Sequence, residues 1–168
     1  MHFLMIAALA VQSTLPLKPS PADYGALWRY QGTWQIVSKN RAAAKPETLV
    51  NQCAVLGHFF ACGQNVNGTP GGLVVFIPSG KPDHFYTQTI MPEGRATGRD
   101  DLEISGEQWI YTSRRDEGGK TTYFRTTNSF SGKNRIHFEQ SQSSNGTQWD
   151  VQSSGDEVRV GAASPNSR

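Results

Sequence analysis

The sequence predicts an all-β domain, an antiparallel up-and-down β-barrel of nine or ten strands entered through a short N-terminal helix. Three observations carry this. Gly, Ser, Thr, Asn and Gln are abundant, helix-forming runs are scarce, and aromatic residues make up 10% of the chain. Turn signals such as "GH" at 57, "NGTPGG" at 67, "PSGKPD" at 78, "DEGGK" at 116 and "SSNG" at 143 arrive at strand-length intervals. The connections are short, and many strands joined by tight hairpins remove their exposed edges by closing on themselves. A β-sandwich would need a longer crossing connection, which only residues 41–50 offer.

The apolar run "FLMIAALAV", Phe3–Val11, is too short to cross a bilayer as a helix. Small-residue cleavage sites follow at Ala8-Leu9-Ala10 and Val11-Gln12-Ser13, so residues 1–13 read as a signal peptide and the mature protein as periplasmic or secreted. With no cysteine after that run, a lipoprotein anchor is not expected. Residues 14–20 form a Pro-rich lead-in, the barrel domain is expected over 21–160, and 161–168 read as a disordered tail.

Ser20 and Pro21 supply an N-cap and a proline at the first helical position, which predicts a helix over Pro21–Tyr30 with Tyr24, Leu27 and Trp28 at helical spacing. Gly32 ends it. Period two then places Trp34, Ile36 and Ser38 on one face of the first strand and Gln35 and Val37 on the other. Residues 41–50 are expected as a loop. In "CAVLGHFFAC" the Gly57-His58 pair suits a two-residue hairpin turn, which sets Cys53 opposite Cys62 at a spacing a disulfide tolerates.

Later turns predict which side chains face inward. A Gly132-Lys133 turn pairs Arg125 with Gln140 and Thr127 with Phe138, and turns at Asn145-Gly146 and Ser154-Gly155 extend that face. The interior set is then Tyr123, Arg125, Thr127, Ile136, Phe138, Gln140, Trp149, Val151, Val158 and Val160. A three-residue loop after "RRD" adds Trp109, Tyr111 and Ser113. A guanidinium facing inward needs an anion or several acceptors. Arg125, with Gln140 opposite and Tyr111 and Tyr123 nearby, is therefore the expected seat of a carboxylate or phosphate head, with the ligand's tail along Phe138 and Trp149. The alternative is that Arg125 lies near a rim and reaches water or an internal carboxylate.

A short helix leading into Gly-x-Trp (Gly32 to Trp34) and then a meander resembles the calycin group, and more closely the small exported bacterial lipocalin-like proteins of the DUF1579 type, over about residues 22–160. The resemblance implies an internal cavity with a small apolar ligand and brings no catalytic residues. It also implies that Trp34 plugs the closed end, under an arginine of the last strand. Arg159 is the candidate, although the hairpin register above puts it outside, opposite Asp150.

Other chemistry finds little support in the residues. The net charge of +2 is spread along the chain without a basic stripe, which argues against nucleic acid. His58, His84 and His137 lack metal-ligand spacing, so no metal, haem or other cofactor is expected. There is no Gly-x-Ser-x-Gly, and Asp100 and Asp101, adjacent on a strand, point to opposite faces and cannot act as a pair. The expectation is a monomeric, non-enzymatic barrel holding a small amphipathic or lipid-like molecule. A surface module with a side-chain-filled barrel is the alternative, and a cavity used for isomerisation or cyclisation is the enzymatic one.

Overall fold

Alternating inward and outward side chains carry the chain through ten antiparallel strands, and the computed structural model, which describes residues 24–39 and 45–161, closes them into a barrel. The strands are β1 (Gly32–Ser38), β2 (Glu47–Leu56), β3 (Phe59–Val66), β4 (Thr69–Pro78), β5 (His84–Ile90), β6 (Asp100–Ser105), β7 (Gln108–Glu117), β8 (Lys120–Ser131), β9 (Arg135–Ser143) and β10 (Asp150–Arg159). Each pairs with its neighbours in sequence, and β1 pairs with β10 to close the ring. The expected signal peptide, the Pro-rich lead-in and residues 162–168 of the expected tail lie outside the described residues. Among the described residues no helix is long and apolar enough to cross a membrane.

The predicted helix is shorter than expected. A 3-10 turn spans Leu27–Tyr30, closed by Arg29 N–H to Ala26 O and Gln31 N–H to Trp28 O, each 3.1 Å, and Gly25 and Ala26 before it are in a turn; Pro21–Asp23 lie outside the described residues. Side chains three apart eclipse in such a turn. That sets the fully buried Leu27 and the ring of Tyr30 on the same side, against the barrel. The expected 41–50 loop is also shorter, because β2 begins at Glu47.

The Gly57-His58 hairpin is as the sequence predicts: Cys53 pairs with Cys62 at a Cα separation of 4.0 Å, and the two form a disulfide. Four later connections differ from expectation by one residue or more, one of them β9 to β10, which join through residues 144–149 and not through a two-residue Asn145-Gly146 turn. β7 and β8 join through the two-residue Gly118-Gly119 turn, since Glu117 pairs with Lys120. β8 and β9 join through three residues, since Ser131 pairs with Arg135. β10 does not turn at Ser154-Gly155 but runs straight on, with a bulge between Val151 and Ser153.

A one-residue change in a connection swaps the faces of the strand it leads into. β7 and β9 keep their expected faces, with Trp109, Tyr111, Ile136 and Phe138 inward. β8 reverses, so Thr126, Asn128 and Phe130 face in and Tyr123, Arg125 and Thr127 face out. On β10 the longer connection from β9 sets Val151 opposite Ser141 on the outer face, and the bulge after it turns Ser153, Gly155 and Glu157 inward, leaving Val158 and Val160 exposed.

Candidate functional site

One end of the barrel is closed, and the closure starts from a pairing. Trp34 on β1 lies opposite Arg159 on β10, whose guanidinium stacks 4.1 Å over the indole. The guanidinium donates to three backbone carbonyls: Nε to Lys133 O at 3.0 Å, Nη2 to Arg29 O at 2.7 Å, and Nη1 to Gln31 O. Any Cβ on Gly32 would collide with Arg159 Nη1, and Gly32 holds a φ of +124°. Glycine is thus required where the arginine crosses. Trp34, fully buried, donates Nε1–H to Tyr30 O at 3.0 Å. Trp34 thus lies buried beneath Arg159, and the contact that the hairpin register denied is made.

The lead-in turn is also bolted to the hairpin turns at this end. Arg29 pairs with Glu107 at 2.5 Å and donates to Gly132 O at 2.8 Å, while Tyr24 O–H donates to His58 O at 2.7 Å. Above the plug, Phe60, Phe76, Phe85, Leu102, Trp109, Phe130 and Ile136 fill this half of the barrel.

The other half is hollow and polar. A cavity of about 360 Å³ is lined by Tyr30, Leu49, Asn51, Gln64, Val74, Phe76, Thr87, Thr89, Asp100, Tyr111, Thr126, Asn128, Gln140 and Glu157. Thr126, Asn128, Gln140 and Glu157 also line a mouth of about 430 Å³ with Ile36, Ser38, Lys45, Glu47, Phe138 and Ser153. On the far side Thr89 and Asp100 border a cleft beneath Arg99, Arg114 and Arg115. Phe138 can lie at the mouth because β10 carries Gly155 beneath it: a Cβ there would sit 2.6 Å from the ring and 2.6 Å from Val37 O.

Tyr30 is the hub of the wall. Its hydroxyl accepts from Tyr111 O–H at 3.0 Å and from Asn128 Nδ2, and its carbonyl accepts from Asn51 Nδ2 at 3.2 Å. Burial pushes both phenols up, so both stay neutral. Burial also pushes the Glu157 carboxyl up to about 7, and raises that of Asp100. Glu157 Oε2 is fully buried and has no hydrogen-bond partner among the described residues.

Of the six predicted ligand-binding residues, Tyr111, Gln140 and Phe138 line this space. Arg125, Tyr123 and Trp149 do not: Arg125 lies on the outer face, 4.3 Å over the Trp149 ring and opposite Ser141 instead of Gln140. Tyr123 packs on Gly146. The reversed face of β8 accounts for Arg125 and Tyr123, and Trp149 falls in the 144–149 connection ahead of β10. Sequence reasoning missed Glu157, Asn128, Thr126, Asn51 and Tyr30. The signal for Glu157 was present, since pairing Arg159 with Trp34 places Glu157 on the inner face two residues earlier.

His137 is outward as predicted, its Nδ1 2.9 Å from Asp156 Oδ1, and no histidine lines the cavity. Among the described residues no three His, Cys, Asp or Glu side chains are grouped to hold a metal ion. No family model matches the chain, and no curated protein matches it. Among solved structures the chain is similar to the crystal structure of Rv2717c from M. tuberculosis, at 14% identity and a TM-score of 0.49, over 83% of this chain and 98% of that chain.

Proposed function

We propose that the protein is a binding protein that holds a small amphipathic molecule inside the barrel. The observation that carries this reading is the half-hollow interior: a cavity of about 360 Å³ whose wall joins apolar surface from Leu49, Val74 and Phe76 to polar groups on Asn51, Tyr111, Asn128, Gln140 and Glu157. A concave site with a few convergent polar groups is the usual form of a small-molecule pocket. The polar wall narrows the expectation: it suits a compact molecule with a polar end better than a long lipid chain. No step of chemistry is assigned to it. Gly32, Trp34 and Arg159 support reading the barrel as calycin-like. The Cys53–Cys62 disulfide supports an oxidising compartment, hence a periplasmic or secreted protein, and we read it as a monomer.

Native mass spectrometry of the protein purified from its own cell envelope tests this. An adduct present in the folded protein and lost on denaturation is expected, and its mass identifies the cargo. A bare protein that also takes up no small amphipathic probe would overturn the reading in favour of an interaction module.

A further inference from the structure

We infer that the polar end of the ligand is a protonated amine and that Glu157 is the group that receives it, an inference that rests on the interior-binding reading above. A buried carboxylate oxygen without a donor is costly to leave so, and native structures supply one. The wall does not. Asn128 spends its amide on Tyr30, Tyr111 its hydroxyl on Tyr30, and Asn51 its amide on Tyr30 O. Gln140 Oε1 accepts from Ser153, and Gln64 donates to Asn51. None of these groups donates to Glu157 Oε2, which has no partner among the described residues.

The charges point the same way. The central cavity contains two carboxyl groups, Glu157 and Asp100, and no lysine or arginine. The mouth beside Glu157 is lined by one further lysine and one further glutamate, Lys45 and Glu47. Arg125, the cation that would have welcomed a carboxylate, lies on the outer face. An anionic head would meet like charge in a desolvated space, whereas a cation supplies both the missing donor and the missing charge. Phe76, Tyr30 and Phe138 offer ring faces on which an ammonium group and its alkyl stem can rest.

The test compares hexylamine, hexanol and hexanoate, matched in chain and different in head, by titration calorimetry on the folded wild-type protein at pH 8. Hexylamine is expected to bind at least about tenfold tighter than hexanol, and hexanoate more weakly than either. Glu157→Gln should remove the preference for amine while leaving hexanol binding in place. The wild-type series stands whether or not that variant folds. Equal binding of all three, or a preference for hexanoate, overturns the amine inference and leaves interior binding standing. If none binds, the adduct retained in native mass spectrometry decides. A basic adduct supports the inference, a neutral or acidic one overturns it alone, and no adduct overturns interior binding with it.

Discussion

At Gly32 a missing side chain decides the closed end of the barrel. The position combines a φ of +124° with a space already taken by Arg159 Nη1. Gly32→Ala is therefore expected to cost about 1–3 kcal/mol, read as a lowered urea midpoint. Gly94→Ala, at a φ of +85° with open space around it, should lose less. Equal losses would mean that backbone strain alone, and not the arginine, makes Gly32 necessary. Glu157 leads to a second expectation, in pH. Its carboxyl, ordinarily near 4.5, is raised to about 7 in the fold. Below 4.5 both folded and unfolded chains hold the proton. Between 4.5 and 7 only the folded chain holds it, so stability falls as pH rises, by at most on the order of 3 kcal/mol. Asp100 shifts in the same direction, and the nearby Tyr30 and Tyr111 stay neutral. Asp156 and Glu107, held low by His137 and Arg29, work oppositely and only at more acid pH. The urea midpoint should therefore drop from pH 5 to pH 8, and Glu157→Gln should flatten that drop. An unchanged slope in the variant would remove Glu157 as its source. None of this was legible from composition. Glu157 became visible only through its distance from Arg159, a pairing the hairpin arithmetic had denied.

Among the elements, the β2–β3 hairpin is the one whose register a single turn was enough to predict. Gly57-His58 lies at the centre of a run flanked by two cysteines, and a shift of one residue would have parted them. The disulfide closes a short loop, so its loss is expected to cost about 2–3 kcal/mol in the chain-entropy model. Urea unfolding of Cys53→Ala/Cys62→Ala against the oxidised protein measures this, and an unchanged midpoint would show that β-pairing alone holds the hairpin. The remaining strands were legible as strands but not in register, for local reasons. "DEGGK" accommodates a two- or three-residue connection, because Gly118 and Gly119 both adopt positive φ without penalty. Ser154-Gly155 reads as a turn because glycine is common in turns. It is in a strand here because the Phe138 ring needs the space a side chain would occupy. That contact spans two strands, and no window of sequence contains it.

Taken whole, the barrel divides into a packed half and a hollow half, and the two should answer mutation differently. At the packed end, Phe130 lies 4.7 Å from Trp109 and 6.1 Å from Tyr30 between ring centroids, so truncating it leaves a void among rigid neighbours. Phe130→Ala should cost about 3–5 kcal/mol. At the hollow end, Thr126 borders both the central cavity and the mouth beside Glu157. A larger side chain there enters space that no other side chain occupies. Thr126→Trp is expected to change stability by less than about 1.5 kcal/mol, the tolerance of a substitution that does not overpack its site. The same change should abolish uptake of the hexyl probes and the adduct seen by native mass spectrometry. The two readings of the molecule separate at this one position. If side chains fill the barrel, Thr126→Trp must overpack it, costing about 1–3 kcal/mol or more, as small-to-large changes in close-packed cores do. Were the tryptophan to destabilise the fold that far, the interior would be a core and not a binding site.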